Sequence, residues 1–169
     1  MTSWRQAQGF TVVELVVVII LVSILSATAL SRFSKPDIFA PSVLAGTLAA
    51  QVHFAAQAAQ SRRAPVTLTL LPDTEFLTLQ VATPTAILRS TEVSLANVSL
   101  SLANNANVYP LPAHSVWQMT FEGKGDLVAA SIDALVLTPE AGITVRLAGD
   151  TELLLCVQPI GYVSEQACQ

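Results

Sequence analysis

One carboxylate, Glu14, stands near the start of an apolar run that contains no other charged residue. The run, GFTVVELVVVIILVSILSATAL, extends over residues 9–30. An ionised carboxylate in hydrocarbon costs about 2.5 to 3.5 kcal/mol on insertion scales, and such groups usually have a partner of opposite charge. The chemistry that Glu14 can perform is therefore the neutralisation of a cation that comes from outside the run.

The other residues suited to chemistry are two histidines and two cysteines. His53 lies in an alanine-rich segment and His114 in a proline-flanked one, and neither belongs to a catalytic or metal-binding motif. Cys156 and Cys168 have no histidine nearby and do not supply four zinc ligands. The sequence contains neither a Gly-x-Ser-x-Gly elbow nor a glycine-rich phosphate loop. We therefore predict no enzyme, no metal site and no cofactor.

The element that positions Glu14 is predicted to be a membrane-spanning helix. Residues 10–30 would form a helix of roughly 30 Å, the thickness of a bilayer core. A cleavable secretory signal fits less well, because only Arg5 is basic before the run and the small residues Ser26, Ala27 and Ala29 near its end make a weak cleavage site. That signal and an uncleaved single-pass anchor remain open as alternatives.

At these residues the chain resembles the class III signal of type IV pilins and type II secretion pseudopilins. In that family a prepilin peptidase cuts after a glycine, the new terminal residue is N-methylated, and a glutamate occupies the fifth mature position. The resemblance implies cleavage between Gly9 and Phe10, methylation of Phe10, and Glu14 as that glutamate. It also implies a role in filament assembly, in which Glu14 of an incoming subunit pairs with the amino group of Phe10 on a neighbouring pilin or pseudopilin subunit.

The same resemblance implies how the chain is divided and where it is located. Residues 1–9 are expected to be the prepilin leader, 10–35 the transmembrane and filament-core helix, and 36–169 a periplasmic globular domain. The protein is expected to span the inner membrane once and then to enter a pilus or pseudopilus. Arg5 alone is basic before the apolar run, whereas Arg32 and Lys35 follow it, so the count of basic residues does not support a cytoplasmic amino terminus. The orientation depends on the resemblance.

Beyond Lys35, 134 residues remain, which is the usual size of one folded domain. They contain five Lys or Arg and eleven Asp or Glu, and Arg62 and Arg63 are the only adjacent basic pair. A nucleic-acid surface needs clustered cations to neutralise phosphates, so we predict no nucleic-acid binding.

The cysteines fall in the last fourteen residues of the chain. In an oxidising periplasm Cys156 and Cys168 could form a disulfide that closes a loop of about 13 residues and contributes roughly 3 kcal/mol. Many pilins have a disulfide-closed carboxyl-terminal region, so the resemblance favours this pairing. Two free buried thiols remain the alternative.

The pattern of the globular part predicts an α+β fold in which a long amino-terminal helix, membrane-spanning in its first half, packs with its second half on antiparallel sheet. Ser42 is predicted to cap a helix over 43–63, whose apolar stripe contains Leu44, Leu48, Val52, Ala55 and Ala59. Residues 103–115 are expected to form a loop. The segments predicted as strands are 66–71, 75–81, 92–102, 117–121, 131–138, 143–147 and 152–157, the last three in an antiparallel meander.

The order of these segments resembles the pilin group that includes the H-type minor pseudopilin, and the ending CVQPIGYVSEQAC is most similar to minor pilins of the mannose-sensitive haemagglutinin (MSHA) pilus. This implies a minor subunit of that pilus, with the H-type pseudopilin of a type II secretion system and a minor pilin of another type IV pilus as the alternatives. A carbohydrate-binding tip adhesin is an alternative of another class. Trp117, Tyr109 and Tyr162 are its candidate sugar contacts.

Overall fold

The computed structural model describes residues 11–33, 40–95, 97–104 and 107–168. The chain separates into two compact units, Met1–Pro36 and Asp37–Gln169. Helix α1, Val12–Phe33, lies in the first unit. Helix α2, Ala40–Arg62, begins the second unit and is followed by the strands β1 to β11. Gly9 and Phe10 lie outside the described residues.

Helix α1 begins at an N-cap made by Thr11. The backbone N–H of Glu14 donates to Thr11 Oγ1 at 3.2 Å, and the N–H of Leu15 donates to the Thr11 carbonyl oxygen, also at 3.2 Å. A threonine that accepts from the third helical residue satisfies one of the free N–H groups of the first turn. Across the parts of the chain that the structure describes, no helix is both long and apolar enough to cross a membrane.

Helix α2 buries the predicted apolar stripe. Leu44, Leu48, Val52, Ala55 and Ala59 are all at most 1% exposed. The helix starts earlier than predicted, and Ser42 lies within its first turn instead of capping it. The reason is that proline is tolerated in the first turn, where its missing N–H has no helical partner to lose, so Pro41 does not delay the helix.

The larger sheet has six strands in the order β3-β2-β1-β6-β7-β8, and every neighbouring pair is antiparallel. Its strands are β1 Val66–Pro72, β2 Phe76–Ala82, β3 Ile87–Ser94, β6 Trp117–Phe121, β7 Leu127–Ile132 and β8 Leu135–Leu137.

The smaller sheet has five strands in the order β11-β10-β9-β4-β5, again all antiparallel. Its strands are β4 Ser99–Asn104, β5 Asn107–Pro110, β9 Ile143–Ala148, β10 Glu152–Val157 and β11 Val163–Ser164. Helix α2 contacts strands of both sheets, and the apolar side chains of all three layers form one continuous core.

Three strand predictions were wrong. Residues 92–102 are not one strand, because the chain turns at Asn97, whose φ is 65°, and passes from β3 in one sheet to β4 in the other. Residues 131–138 are likewise divided by Asp133, whose φ is 50°, into parts of β7 and β8. The predicted meander is therefore limited to β9 and β10, since β8 belongs to the six-stranded sheet. The expected loop 103–115 contains the edge strand β5.

Candidate functional site

The amino-terminal site is the first turn of α1 and the apolar surface that follows it. Glu14 is exposed, and in the described part of the chain no cation forms an ion pair with its carboxylate. A carboxylate in the first turn is stabilised by the partial positive charge of the helix amino terminus. The carboxylate of Glu14 therefore lies at a helix end, where it remains available to a cation from elsewhere.

The remainder of the α1 surface is apolar and uncovered. All described side chains from 12 to 26 are exposed, including Leu15 at 57% and Leu25 at 67%. Its two described serines do not offer free hydroxyls, because Ser23 Oγ donates to the Ile19 carbonyl oxygen and Ser26 Oγ to that of Val22, each at 2.7 Å. Hydroxyl groups that bond back to the helix backbone are compatible with an apolar environment. This surface is suited to lipid or to other apolar helices.

The carboxyl-terminal site is the disulfide between Cys156 and Cys168, whose Cα atoms are 5.0 Å apart. Cys156 is buried on β10, and the N–H of Cys168 donates to Thr144 Oγ1 on β9 at 2.8 Å. The bond and the hydrogen bond together fix the end of the chain against the five-stranded sheet. The alternative of two free thiols does not hold in this structure.

Gly142 explains why the disulfide can lie so close to the turn before β9. Its φ is 82°, and a Cβ atom added there would lie 2.8 Å from both Cys168 Sγ and the Val157 carbonyl oxygen. An L side chain would be strained in that backbone conformation and would also collide with the sulfur.

The histidines stand apart from any reactive cluster. His53 packs edge-to-face on Tyr162, with ring centroids 6.0 Å apart, and His114 Nδ1 lies 3.9 Å from Asp73 Oδ1. Within the described residues, no three His, Cys, Asp or Glu side chains gather as metal ligands would.

The candidate sugar contacts do not form one surface. Trp117 is fully buried in the core between the layers, whereas Tyr162 is 53% exposed and Tyr109 is partly buried. A ligand at the surface cannot reach the indole of Trp117. The alternative in which Trp117 belongs to an aromatic binding patch does not fit, because Trp117 occupies an inward position of β6.

Comparisons with known proteins give two matches and one absence. The prokaryotic N-terminal methylation motif matches residues 4–30, which include Gly9, Phe10 and Glu14. A comparison with curated proteins finds no match.

Among solved structures, the type IV minor pilin FimU of Pseudomonas aeruginosa is similar in two crystal forms. The P21 form has a TM-score of 0.51 and 19% identity, over 75% of this chain and 87% of that chain. The P65 form has a TM-score of 0.48 and 19% identity, over 75% of this chain and 92% of that chain.

At 19% identity, the similarity to the P21 form of FimU is a similarity of fold. It confirms the predicted α+β architecture, in which an amino-terminal helical part is followed by antiparallel sheets. The chain thus matches the prokaryotic N-terminal methylation motif over residues 4–30, and over 75% of its length its fold is similar to that of the type IV minor pilin FimU.

Proposed function

We propose that this chain is a minor subunit of a type IV pilus-like filament, cut by prepilin peptidase between Gly9 and Phe10 and methylated on the new amino terminus. The observation that carries the proposal is the methylation motif over residues 4–30, which contains an exposed Glu14 whose carboxylate has no ion-pair partner among the described residues. An assembling subunit needs an amino group that cleavage has freed, a carboxylate that can pair with that amino group, and an apolar surface that becomes buried in the filament.

The charge of Glu14 defines the assembly step. Cleavage creates a positively charged amine on Phe10, and in apolar surroundings that amine and a carboxylate each lower the cost of burying the other. We infer that Glu14 of an incoming subunit pairs with the Phe10 amine of a subunit already in the filament. The apolar surface of α1 then packs among the helices of neighbouring subunits, and a head-to-tail contact that does not close gives an open helical polymer.

Before assembly the chain would span the inner membrane once, with residues 10–35 in the bilayer and residues 36–169 folded in the periplasm. The 21 residues 10–30 support this location through their length and their single charge. The Cys156–Cys168 disulfide also supports it, because disulfides persist in oxidising compartments. The partners are prepilin peptidase, the inner membrane and other pilin or pseudopilin subunits.

For the filament system we propose the MSHA pilus, on the similarity of the ending CVQPIGYVSEQAC, with the H-type position of a type II secretion pseudopilus as the alternative. Deleting the gene in its host separates the two. Loss of pili and of mannose-sensitive haemagglutination supports the first assignment, and loss of enzyme secretion with normal pili supports the second.

The test of the function itself is the intact mass and amino-terminal sequence of the protein from host membranes and from sheared filaments. We expect a chain that begins at N-methylated Phe10 and is present in both fractions. Gly9→Val should retain the leader, whereas Ala7→Val, a change of similar size within the leader, should be processed normally. A wild-type chain that begins at Met1, or one that begins near Thr28, would overturn the proposal.

A further inference from the structure

The cations of the globular unit are sorted to one end of its six-stranded sheet. The described residues of this unit contain five Lys or Arg, and Arg146 is already paired with Glu152 through a hydrogen bond that raises the pKa of its guanidinium. The other four are exposed, have no ion-pair partner in the described part of the chain, and lie where α2 ends, where β3 begins and where β6 turns into β7. We call them the basic end: Arg62, Arg63, Arg89 and Lys124.

A side-chain hydrogen bond and a close backbone approach hold two of these turns together. Gln60 Nε2, in the last turn of α2, donates to the Lys124 carbonyl oxygen at 2.9 Å. Gly123 lies so close to Arg63 that an added Cβ atom would be 3.0 Å from the Arg63 carbonyl carbon. Glu122 and Asp126 flank Lys124 in the same turn, but cations still outnumber carboxylates at this end. The basic end is therefore part of the fold and not a chance arrangement of long side chains.

Arg63 occupies a backbone position that normally favours glycine. It follows the last residue of α2 with φ of 51°, and the N–H of Ala64 reaches back to the Ala59 carbonyl oxygen at 3.4 Å. Glycine is the usual residue at this helix-ending position because it has no Cβ atom to strain. A charged side chain at a backbone position that strains any residue other than glycine points to a use for the charge.

Beside these cations a cleft of about 300 Å³ opens between α2 and the edge strand β3. Phe54 and Leu88 supply its apolar lining and Arg62 lies at its margin. The guanidinium of Arg89 stacks on the Phe54 ring, with Cζ 4.1 Å from the ring centroid. The cleft thus combines an apolar floor with two positive charges, which suits a small acidic segment that also carries an apolar side chain.

The opposite end of the same sheet provides such a segment. Asp73 and Glu75 lie in the exposed turn between β1 and β2, followed by Phe76, which is 42% exposed, and Asp133 lies in the turn between β7 and β8. We call Asp73, Glu75 and Asp133 the acidic end. His114 beside Asp73 adds positive charge only when it is protonated. The seven residues of β1 separate the two ends by about 23 Å at ~3.3 Å per residue.

We propose that the basic end of one copy of this chain binds the acidic end of a second copy, with the turn from Asp73 to Phe76 seated in the cleft lined by Phe54, Leu88 and Arg62. The inference rests on the proposed function, because it describes the contact between globular parts of neighbouring subunits. The two surfaces differ and lie at opposite ends of one sheet, so the contact is head to tail and can repeat along an open filament. Exposed ion pairs are individually weak, so the contact depends on the filament to hold the copies together.

The test uses full-length chains in the host, in two differently tagged copies. One copy carries Lys124→Cys and the other Thr74→Cys, and a membrane-permeant bis-maleimide joins cysteines that approach each other, while Cys156 and Cys168 are already bonded to each other. We expect a crosslinked species that carries both tags. Two copies that both carry Thr74→Cys bring acidic end to acidic end and should give no such product.

Charge variants then separate contact from folding. Arg63→Glu should reduce the crosslinked fraction about fivefold or more, and Asp73→Lys in the other copy should restore part of it. Arg63→Gly removes the same charge while relieving the backbone, so a stable chain with a reduced crosslink would show that the charge, and not the fold, is responsible.

Sheared filaments from the same cells distinguish a failure of this contact from a failure of the proposed function. Chains that enter the filament without forming the Lys124 to Thr74 crosslink overturn this inference and leave the proposed function intact. A crosslink from Lys124→Cys to a different subunit also overturns it, because the occupant is then not a second copy. Chains absent from the filament overturn the proposed function and this contact with it.

Discussion

The backbone N–H of Glu14 donates a hydrogen bond to the hydroxyl oxygen of Thr11 across 3.2 Å. This bond uses the main chain of Glu14 to begin α1 and leaves its carboxylate free of that task. The main chain and the side chain of Glu14 thus have different roles, because the backbone N–H helps to start the helix while the carboxylate carries the charge. Variants of the side chain can therefore test the charge without removing the cap.

Glu14→Gln should leave cleavage intact and reduce incorporation into filaments about tenfold or more, because a neutral amide cannot compensate a buried amine. The amount of mature protein in sheared filaments, divided by the amount in membranes, measures the effect. Thr11→Ala serves as the comparison, since it weakens the helix start by about 1 kcal/mol and keeps the charge. Equal incorporation of Glu14→Gln and wild type would remove the pairing step.

The disulfide should stabilise the globular unit by about 3 kcal/mol, the chain-entropy value for a loop of this size. For Asp37–Gln169 expressed alone, we expect Cys156→Ser with Cys168→Ser to lower the melting temperature by roughly 10 °C. Reductant should have a similar effect on the wild type and none on the double variant. A wild-type melting curve that does not respond to reductant would contradict the prediction.

Gly142→Ala should destabilise the same unit by about 2 kcal/mol or more, through the positive φ and the collision with Cys168 Sγ. Gly46→Ala is the matched control, because Gly46 lies in α2 and a Cβ atom there meets nothing within 4 Å. Alanine should stabilise that position by up to about 1 kcal/mol through its helix propensity. Urea unfolding of the two variants should give shifts of opposite sign, and shifts of the same sign would refute the assignment of Gly142.

Trp117 should behave as a core residue in fluorescence. It is the only tryptophan of Asp37–Gln169, and its side chain is fully buried. We expect blue-shifted emission, weak quenching by acrylamide, and no change across a series of candidate sugars, whereas the unfolded unit in urea should be quenched strongly. A saturable response to one sugar in the folded unit would revive the adhesin hypothesis.

The sequence predicted the elements whose packing follows a simple period. The stripe from Leu44 to Ala59 was correct because an apolar step of three or four residues leaves one buried face whatever the helix packs against. Strands β1, β2, β6, β9 and β10 lie within one residue of their predicted bounds, since alternating burial leaves little freedom of register.

Each error in the predicted strands has a physical cause. Leu95 and Val98 both face the core, so residues 92–102 resemble one apolar strand, but their separation of three residues breaks the two-residue period at Asn97, where the backbone leaves one sheet for the other. The turn at Asp133 has no glycine to mark it, and β5 ends at Pro110, a residue that only an edge strand accommodates. Glu14 could be identified from the sequence because it is the only charge in its apolar run. The basic end and the acidic end could not be identified, because they depend on the order of the strands in the sheet, and the local sequence pattern does not give that order.

Strand β3 forms one edge of the six-stranded sheet and is eight residues long. Such an edge is a template on which foreign strands can stack, and the usual protection is charge within the edge strand. Arg89 and Glu92 provide charges of opposite sign on β3, with only polar residues between them. While the globular unit is free in solution, these two side chains protect it from amyloid-like aggregation, and replacing both with apolar residues would be expected to lower solubility before it lowers stability.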